Sequence, residues 1–468
     1  MTLQPPMRFD FAAIRQALAS GVTVESIARE AHRRADALSP DGVFTALLPL
    51  EAVLNAARVL DRKAAAGADL PLLGLPFSVK DNIHVAGMAT TCNCPGLSIM
   101  PDESAPAVAR LEAAGAVLIG RNTMDQFATG LNGTRSPEPL CRNAIDPRYI
   151  PGGSSSGSAV AVARNVVAFS LGSDTGGSGR VPAACNGIVG LKPTLGLVST
   201  RGLVYNSRFF DCVPVFAKHC DEAYEILEHV AGYDERDPFS RSDADEIALA
   251  PTSAGPRVLA VIEPSQLKFY GDDRAKRSYE HNLATLGAFG HRLKPIDFGL
   301  FEEAGRLVFQ SAMVAERLVD YGDVFETRPE SIHPVVRSSI EPGLRYTARD
   351  AFEAIYAMKR LQRQARAALE GCAALVVPTV PTIFTIDEML AEPLARNTVM
   401  GTYTYFVNPL DFCAVAVPGH RRDDGLPSSL CFVARDGEDG CIRTLATGFE
   451  TAIRRDSARD AQALSPAV

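Results

Sequence analysis

The sequence predicts an α/β protein: one large α/β/α domain with a mixed, mainly parallel central sheet covered by helices. Helix-like and strand-like segments alternate along much of the chain, no internal repeat divides it, and 46% of its 468 residues are hydrophobic. That share supports a substantial buried core, and the 22% of charged residues is ordinary for a globular protein.

The elements follow in order. Phe11, Ile14 and Leu18 recur at helical spacing, Gly21 stops that pattern, and Thr23 caps a second helix over 24–37. A third helix, roughly 51–66, ends at Gly67, and an apolar strand over 73–79 then delivers Lys80 at its C-terminal end. Helix 106–114 stops at Gly115 before a short strand at 116–119, and helix 158–167 precedes strand 168–173. Residues 234–256, rich in Asp, Ser, Arg and Pro, read as an exposed connection, and strand 257–262 restarts the alternation. Long helices are expected at 301–320 and 349–370, the second stopped by Gly371, with strands at 374–377 and 430–434. The domain is expected to span 1–455, with 300–370 as a helical cover and 456–468 as a disordered tail.

Composition excludes several classes. The formal net charge is −8 and no basic stripe occurs; clusters such as His32-Arg33-Arg34 and Lys359-Arg360 read as solvated helix faces, so no nucleic-acid partner is expected. No apolar run approaches the roughly 20 residues that span a bilayer, so no membrane partner is expected either. The ten cysteines lack the spacing of a disulfide scaffold, nothing at the N-terminus resembles a secretory signal, and Cys92-Asn93-Cys94 is too tight for a zinc or redox pair. They read as reduced thiols of a cytoplasmic protein that needs neither metal nor cofactor.

Two Gly/Ser-rich loops dominate the chain. The first is Pro151-Gly152-Gly153-Ser154-Ser155-Ser156-Gly157-Ser158, which opens a helix; the second is Asp174-Thr175-Gly176-Gly177-Ser178-Gly179-Arg180, which follows a strand. Glycines let backbone N–H groups converge on one spot that favours negative charge. A phosphate-binding loop needs a lysine that the stretch from Gly172 to Ser178 lacks. A hydrolase elbow GxSxG matches with Ser155 at its centre, but none of the downstream histidines stands in a recognisable loop. Two plain turns would be the bland alternative, weakened by a spacing of one helix and one strand.

These loops resemble the amidase signature family. Gly153 through Ala159, then Asp174-Thr175-Gly176-Gly177-Ser178-Gly179-Arg180-Val181-Pro182, carry the likeness, with Ser154 and Ser178 separated by 24 as in that family. Gly74-Leu75-Pro76-Phe77-Ser78-Val79-Lys80-Asp81 is similar to its lysine motif, and Gly190-Leu191-Lys192-Pro193-Thr194 also fits. The resemblance, strongest over about 50–220, implies Ser178 as nucleophile, Ser154 in a cis peptide as proton relay, and Lys80 as base. It also implies an oxyanion hole from the N–H groups of Thr175, Gly176, Gly177 and Ser178. The chemistry agrees: a serine needs a base, and a desolvated lysine is a better one. Asp174 and Arg180 read as a structural charge pair.

Within the family, five stretches are most similar to the allophanate hydrolase branch. They are Gly133-Thr134-Arg135-Ser136-Pro137, Ser154-Ser155-Ser156, Asp211-Cys212-Val213-Pro214-Val215-Phe216-Ala217, Val314-Ala315-Glu316-Arg317, and Gly401 through Asn408. This likeness implies that Arg317 binds a substrate carboxylate and that the backbone of Gly130 touches the substrate. A lone helical arginine reads by itself as a surface ion pair. Phe309 stands where that branch has a tyrosine, and Ser429 where the family has a glycine. The expected activity is hydrolysis of a small carboxylated amide, most of all allophanate to ammonia and carbon dioxide, by a homodimer in urea or s-triazine nitrogen catabolism. The alternatives are an amidotransferase subunit that makes ammonia from glutamine, a malonamate-type amidase, an esterase using Ser155, and a non-catalytic scaffold.

Overall fold

Eleven strands form one sheet in the computed structural model, which describes residues 7–463. They are β1 Phe44–Leu47, β2 Pro76–Lys80, β3 Val117–Asn122, β4 Phe169–Leu171, β5 Val189–Lys192, β6 Val215–Ala217, β7 Val258–Ile262, β8 Arg292–Ile296, β9 Ala374–Pro378, β10 Phe412–Pro418 and β11 Ser429–Arg435. Their order across the sheet is β1-β3-β2-β4-β6-β5-β10-β11-β9-β7-β8.

The mixed α/β/α class stands as the sequence predicts it, but the balance of pairings differs. Four neighbouring pairs are parallel and six antiparallel, where the sequence predicts that parallel pairs dominate. Two of the six are local, since no helix lies between β5 and β6 or between β10 and β11 and the chain returns without a crossover; the other four join strands distant in sequence.

Period-two alternation buries both faces of the sheet. Cys413, Val415, Leu430, Phe432 and Val376 join the larger core on one side. Phe412, Ala414, Cys431, Val433, Leu375 and Val377 pack on the other side against Phe301, Leu361 and Ala365. The N-terminal helices form near their expected positions, Phe11–Ala19, Val24–Leu38 and Leu50–Ala65, and Thr23 accepts from the Ser26 N–H at 3.2 Å as a cap.

The expected helix over 301–320 is in fact broken. Gly299–Gln310 is helical, Ser311 is extended, a 3-10 turn covers Ala312–Glu316, and a new helix runs Arg317–Thr327. The Ser311 hydroxyl accepts from the Met313 N–H at 3.3 Å, competing with helix continuation. The last helix runs Asp439–Ala463, into the stretch expected as a tail, and residues 464–468 of that stretch lie outside the described residues. Among the described residues, no helix is long and apolar enough to cross a membrane.

One glycine seats the helix that carries the first loop. Gly157 lies in Ser156–Ala163, and a Cβ there would meet the Val43 carbonyl oxygen at 2.3 Å and the Thr123 nitrogen at 2.8 Å. Only the absence of a side chain lets this helix press against the ends of β1 and β3.

Candidate active site

β2 ends on Lys80, and the two Gly/Ser loops close over that end. Lys80 Nζ donates to Ser154 Oγ at 2.7 Å and to Ser173 Oγ at 2.8 Å, and Ser154 Oγ donates to Ser178 Oγ at 2.9 Å. The Gly153–Ser154 peptide is cis. All four side chains are buried, and no histidine takes part in the chain of bonds. Burial pulls the Lys80 ammonium down to about 8, against the carboxylates of Asp211, Asp125 and Asp174, which favour its charged form. A lysine so placed can hold or release a proton near neutral pH.

The second loop is braced from beneath. Arg180 grips Asp174 with two bonds, from Nε at 3.0 Å and from Nη2 at 2.9 Å, and both residues are fully buried. Burial alone would raise the Asp174 carboxyl, but the Arg180 charge and bonds outweigh it and hold it below its ordinary range. The pair is structural, as its flanking position suggested. Asp174 also accepts the Gly177 N–H at 2.7 Å, so of the four donors expected for an oxyanion hole that one is already engaged. The N–H groups of Thr175, Gly176 and Ser178 make no hydrogen bond among the described residues. Gly177 itself adopts φ +134°, and a Cβ there would meet Thr404 Oγ1 at 2.4 Å.

Ser178 opens onto a cavity of about 410 Å³ that Gly130, Thr175, Gly176, Phe309 and Arg317 also line. Arg317 is only 1% exposed, so the surface ion pair that a lone helical arginine suggests is not what forms. Its Nη2 donates to Asn206 Oδ1 at 2.8 Å, while Nε and Nη1 have no partner among the described residues. The Phe309 ring lies 5.2 Å from the guanidinium and packs on Gly176, so it offers an aromatic face where a tyrosine would add a hydroxyl.

The model of the Amidase family matches residues 26–442. The chain belongs to that family. The urea amidolyase of Lachancea kluyveri is 38% identical over 395 residues, covering 84% of this chain and 21% of that protein. A glutamyl-tRNA(Gln) amidotransferase subunit from Thermoanaerobacter pseudethanolicus is 31% identical, covering 85% of this chain and 87% of that one. Among solved structures, Kluyveromyces lactis allophanate hydrolase superposes with a TM-score of 0.85 at 32% identity, over 92% of this chain and 73% of that chain. The chain thus spans about a fifth of the urea amidolyases it matches.

In this amidase the structure brings Lys80, Ser154, Ser178, Gly130 and Arg317 to one place. It sets Ser155 apart: its hydroxyl donates to the Ser173 carbonyl at 3.2 Å and it does not line the cavity, which counts against the elbow reading. Ser429, the departure from the family's glycine, begins β11 and shares a 2.8 Å hydroxyl contact with Thr379, so no glycine is required there.

Residue-by-residue reading missed four members. Ser173 holds the lysine, and Asn82 Nδ2 in turn donates to Ser173 Oγ at 3.1 Å. Asp125 accepts the N–H groups of Asn132, Gly133 and Arg135, while its own N–H donates to the Ser154 carbonyl, tying the Gly130 loop to the relay. Asp211 accepts from the Thr175 hydroxyl and from the Asn206 N–H. Ser173 left a signal as the residue just before the second loop, and Asp211 as the head of one of the five similar stretches, though neither signal gives a role.

The charge pair yields a stability prediction. Arg180→Ala should leave Asp174 buried and unpaired and cost about 3–5 kcal/mol of folding free energy, read from urea denaturation. A wild-type midpoint and slope would show that the pair is dispensable.

Proposed function

We propose that this amidase hydrolyses a small carboxylated amide, allophanate before others, with Ser178 as nucleophile, Ser154 as relay and Lys80 as base. One observation carries the substrate reading. A buried guanidinium with unpartnered nitrogens faces the cavity onto which Ser178 opens. An unpaired buried charge is costly, and a substrate carboxylate would satisfy it through two parallel bonds while aligning the amide.

The steps follow from the bonds. With Lys80 neutral, both serine bonds reverse: Ser178 donates to Ser154, and Ser154 donates to Lys80 Nζ. Ser178 Oγ then attacks the amide carbonyl as its proton passes to Lys80. The N–H groups of Thr175, Gly176 and Ser178 are placed to receive the developing oxyanion. Lys80 returns the proton through Ser154 to the leaving nitrogen, ammonia departs, and water cleaves the acyl-enzyme by the same relay. From allophanate the remaining product decarboxylates to carbon dioxide and a second ammonia. A cytoplasmic homodimer serving urea or s-triazine nitrogen catabolism belongs to the same proposal.

The cavity is larger than allophanate needs, and the similarity to the amidotransferase subunit favours glutamine as a second candidate. Ammonia release from allophanate, malonamate, glutamine and aryl amides separates them. Allophanate should show the highest kcat/KM, and malonate should compete with it. Arg317→Ala should lower kcat/KM on allophanate by about 2–5 kcal/mol of transition-state stabilisation. A wild-type response of that variant, or faster turnover of neutral amides, would remove allophanate and leave the amidase assignment standing.

A further inference from the structure

The surroundings of Arg317 raise a question of charge. Two carboxylates come close enough to favour its charged form, Glu316 and Asp211, yet neither bonds to it. Both are engaged by one turn, residues 206–211. Glu316 accepts from the Ser207 hydroxyl, the Arg208 N–H at 2.7 Å and the Phe209 N–H at 3.3 Å. Asp211 accepts from the Thr175 hydroxyl and, at 2.7 Å, from the Asn206 N–H. The carboxylate oxygens of both are thus taken up by other donors, and the two anions favour the guanidinium charge from nearby without bonding to it.

What the turn offers Arg317 instead is an amide. Asn206 is 1% exposed, and its Oδ1 accepts from Arg317 Nη2 at 2.8 Å. Its Nδ2 donates to the Phe127 carbonyl and to Thr129 Oγ1, both at 3.0 Å, which fixes which end of the amide faces the arginine. A guanidinium has five N–H donors, so four remain after this bond, more than a bidentate carboxylate requires. An aspartate of the same shape would supply the carboxylate itself, and the substrate would have to displace it.

We propose that Asn206 is a specificity-determining residue of this site: its neutral carbonyl aims the Arg317 guanidinium while leaving it free of a bonded carboxylate, open to that of a substrate. The inference rests on the proposed role of Arg317 and deepens it. Its consequence runs against ordinary structural expectation. The nearly isosteric Asn206→Asp should impair anion recognition more than the smaller Asn206→Ser, because serine leaves the charge free and aspartate occupies it. Aspartate also loses the Nδ2 donation to the Phe127 carbonyl and Thr129, so its effect counts as charge only where it disappears together with Arg317.

Malonate affinity measured by calorimetry, with kcat and KM on allophanate, tests this in the full chain. Asn206→Asp should weaken malonate and raise the allophanate KM by more than about tenfold, with a smaller change in kcat. Asn206→Ser should stay within about tenfold of wild type in malonate affinity. In an Arg317→Ala background, Asn206→Asp should weaken malonate no further. A larger loss for serine than for aspartate overturns the proposal. If Asn206→Asp does not fold, a serine variant as weak as Arg317→Ala overturns it equally. Intact malonate binding in Arg317→Ala would instead defeat the underlying carboxylate reading, a result the single variants distinguish.

Discussion

Ser178→Ala is expected to abolish turnover, lowering kcat on the best amide by about 10⁴-fold or more, the scale on which removing a nucleophile leaves only binding and oxyanion stabilisation. The substitution deletes one hydroxyl whose bond is to Ser154, so the loop and its Asp174–Arg180 brace should persist. Unchanged thermal stability beside lost activity would mark the effect as chemical. Ser155→Ala is the matched control: its hydroxyl meets the Ser173 carbonyl, at a stability cost of about 1 kcal/mol, and turnover should remain within about tenfold of wild type. The reverse pattern, Ser155→Ala dead and Ser178→Ala active, would overturn the proposed triad and restore the elbow.

The second large effect belongs to Lys80. Lys80→Ala should be nearly inactive, because Ser154 would have no acceptor for the proton it relays. In the intact enzyme the neutral lysine is the working form, so acid removes the base. With the ammonium pulled to about 8 by burial, kcat/KM should level off above that pH and fall about tenfold per unit below it. Asp211, raised by burial to about 7, titrates in the same window. Asp211→Asn separates the two, since an acid limb that persists in that variant cannot be that carboxylate. A flat profile from pH 6 to 9, or activity lost on chelation, would be incompatible with a lysine base.

The fold was legible in proportion to how local its signals are. Gly21, Thr23, Gly67 and Gly115 mark helix ends through backbone rules that need no partner, and the elements beside them form within a few residues of expectation. The antiparallel excess and the break at Ser311 were not legible. Pairing direction is set by which distant strands meet, and a hydroxyl cap inside an apolar helical pattern leaves the period unchanged.

The site divides along the same line. By itself the sequence determined the amidase family and the serines and lysine of the proposed triad, because closely spaced glycines and serines in two loops constrain the backbone around them. Only the tertiary structure decided that the Gly177 N–H is engaged by Asp174, that Arg317 is buried with two nitrogens left without a partner, and that Asn206 rather than a carboxylate faces it. Those facts depend on contacts between residues as far as 111 positions apart, where solvation and competing partners determine charge and hydrogen bonding. Residue type and spacing carry neither.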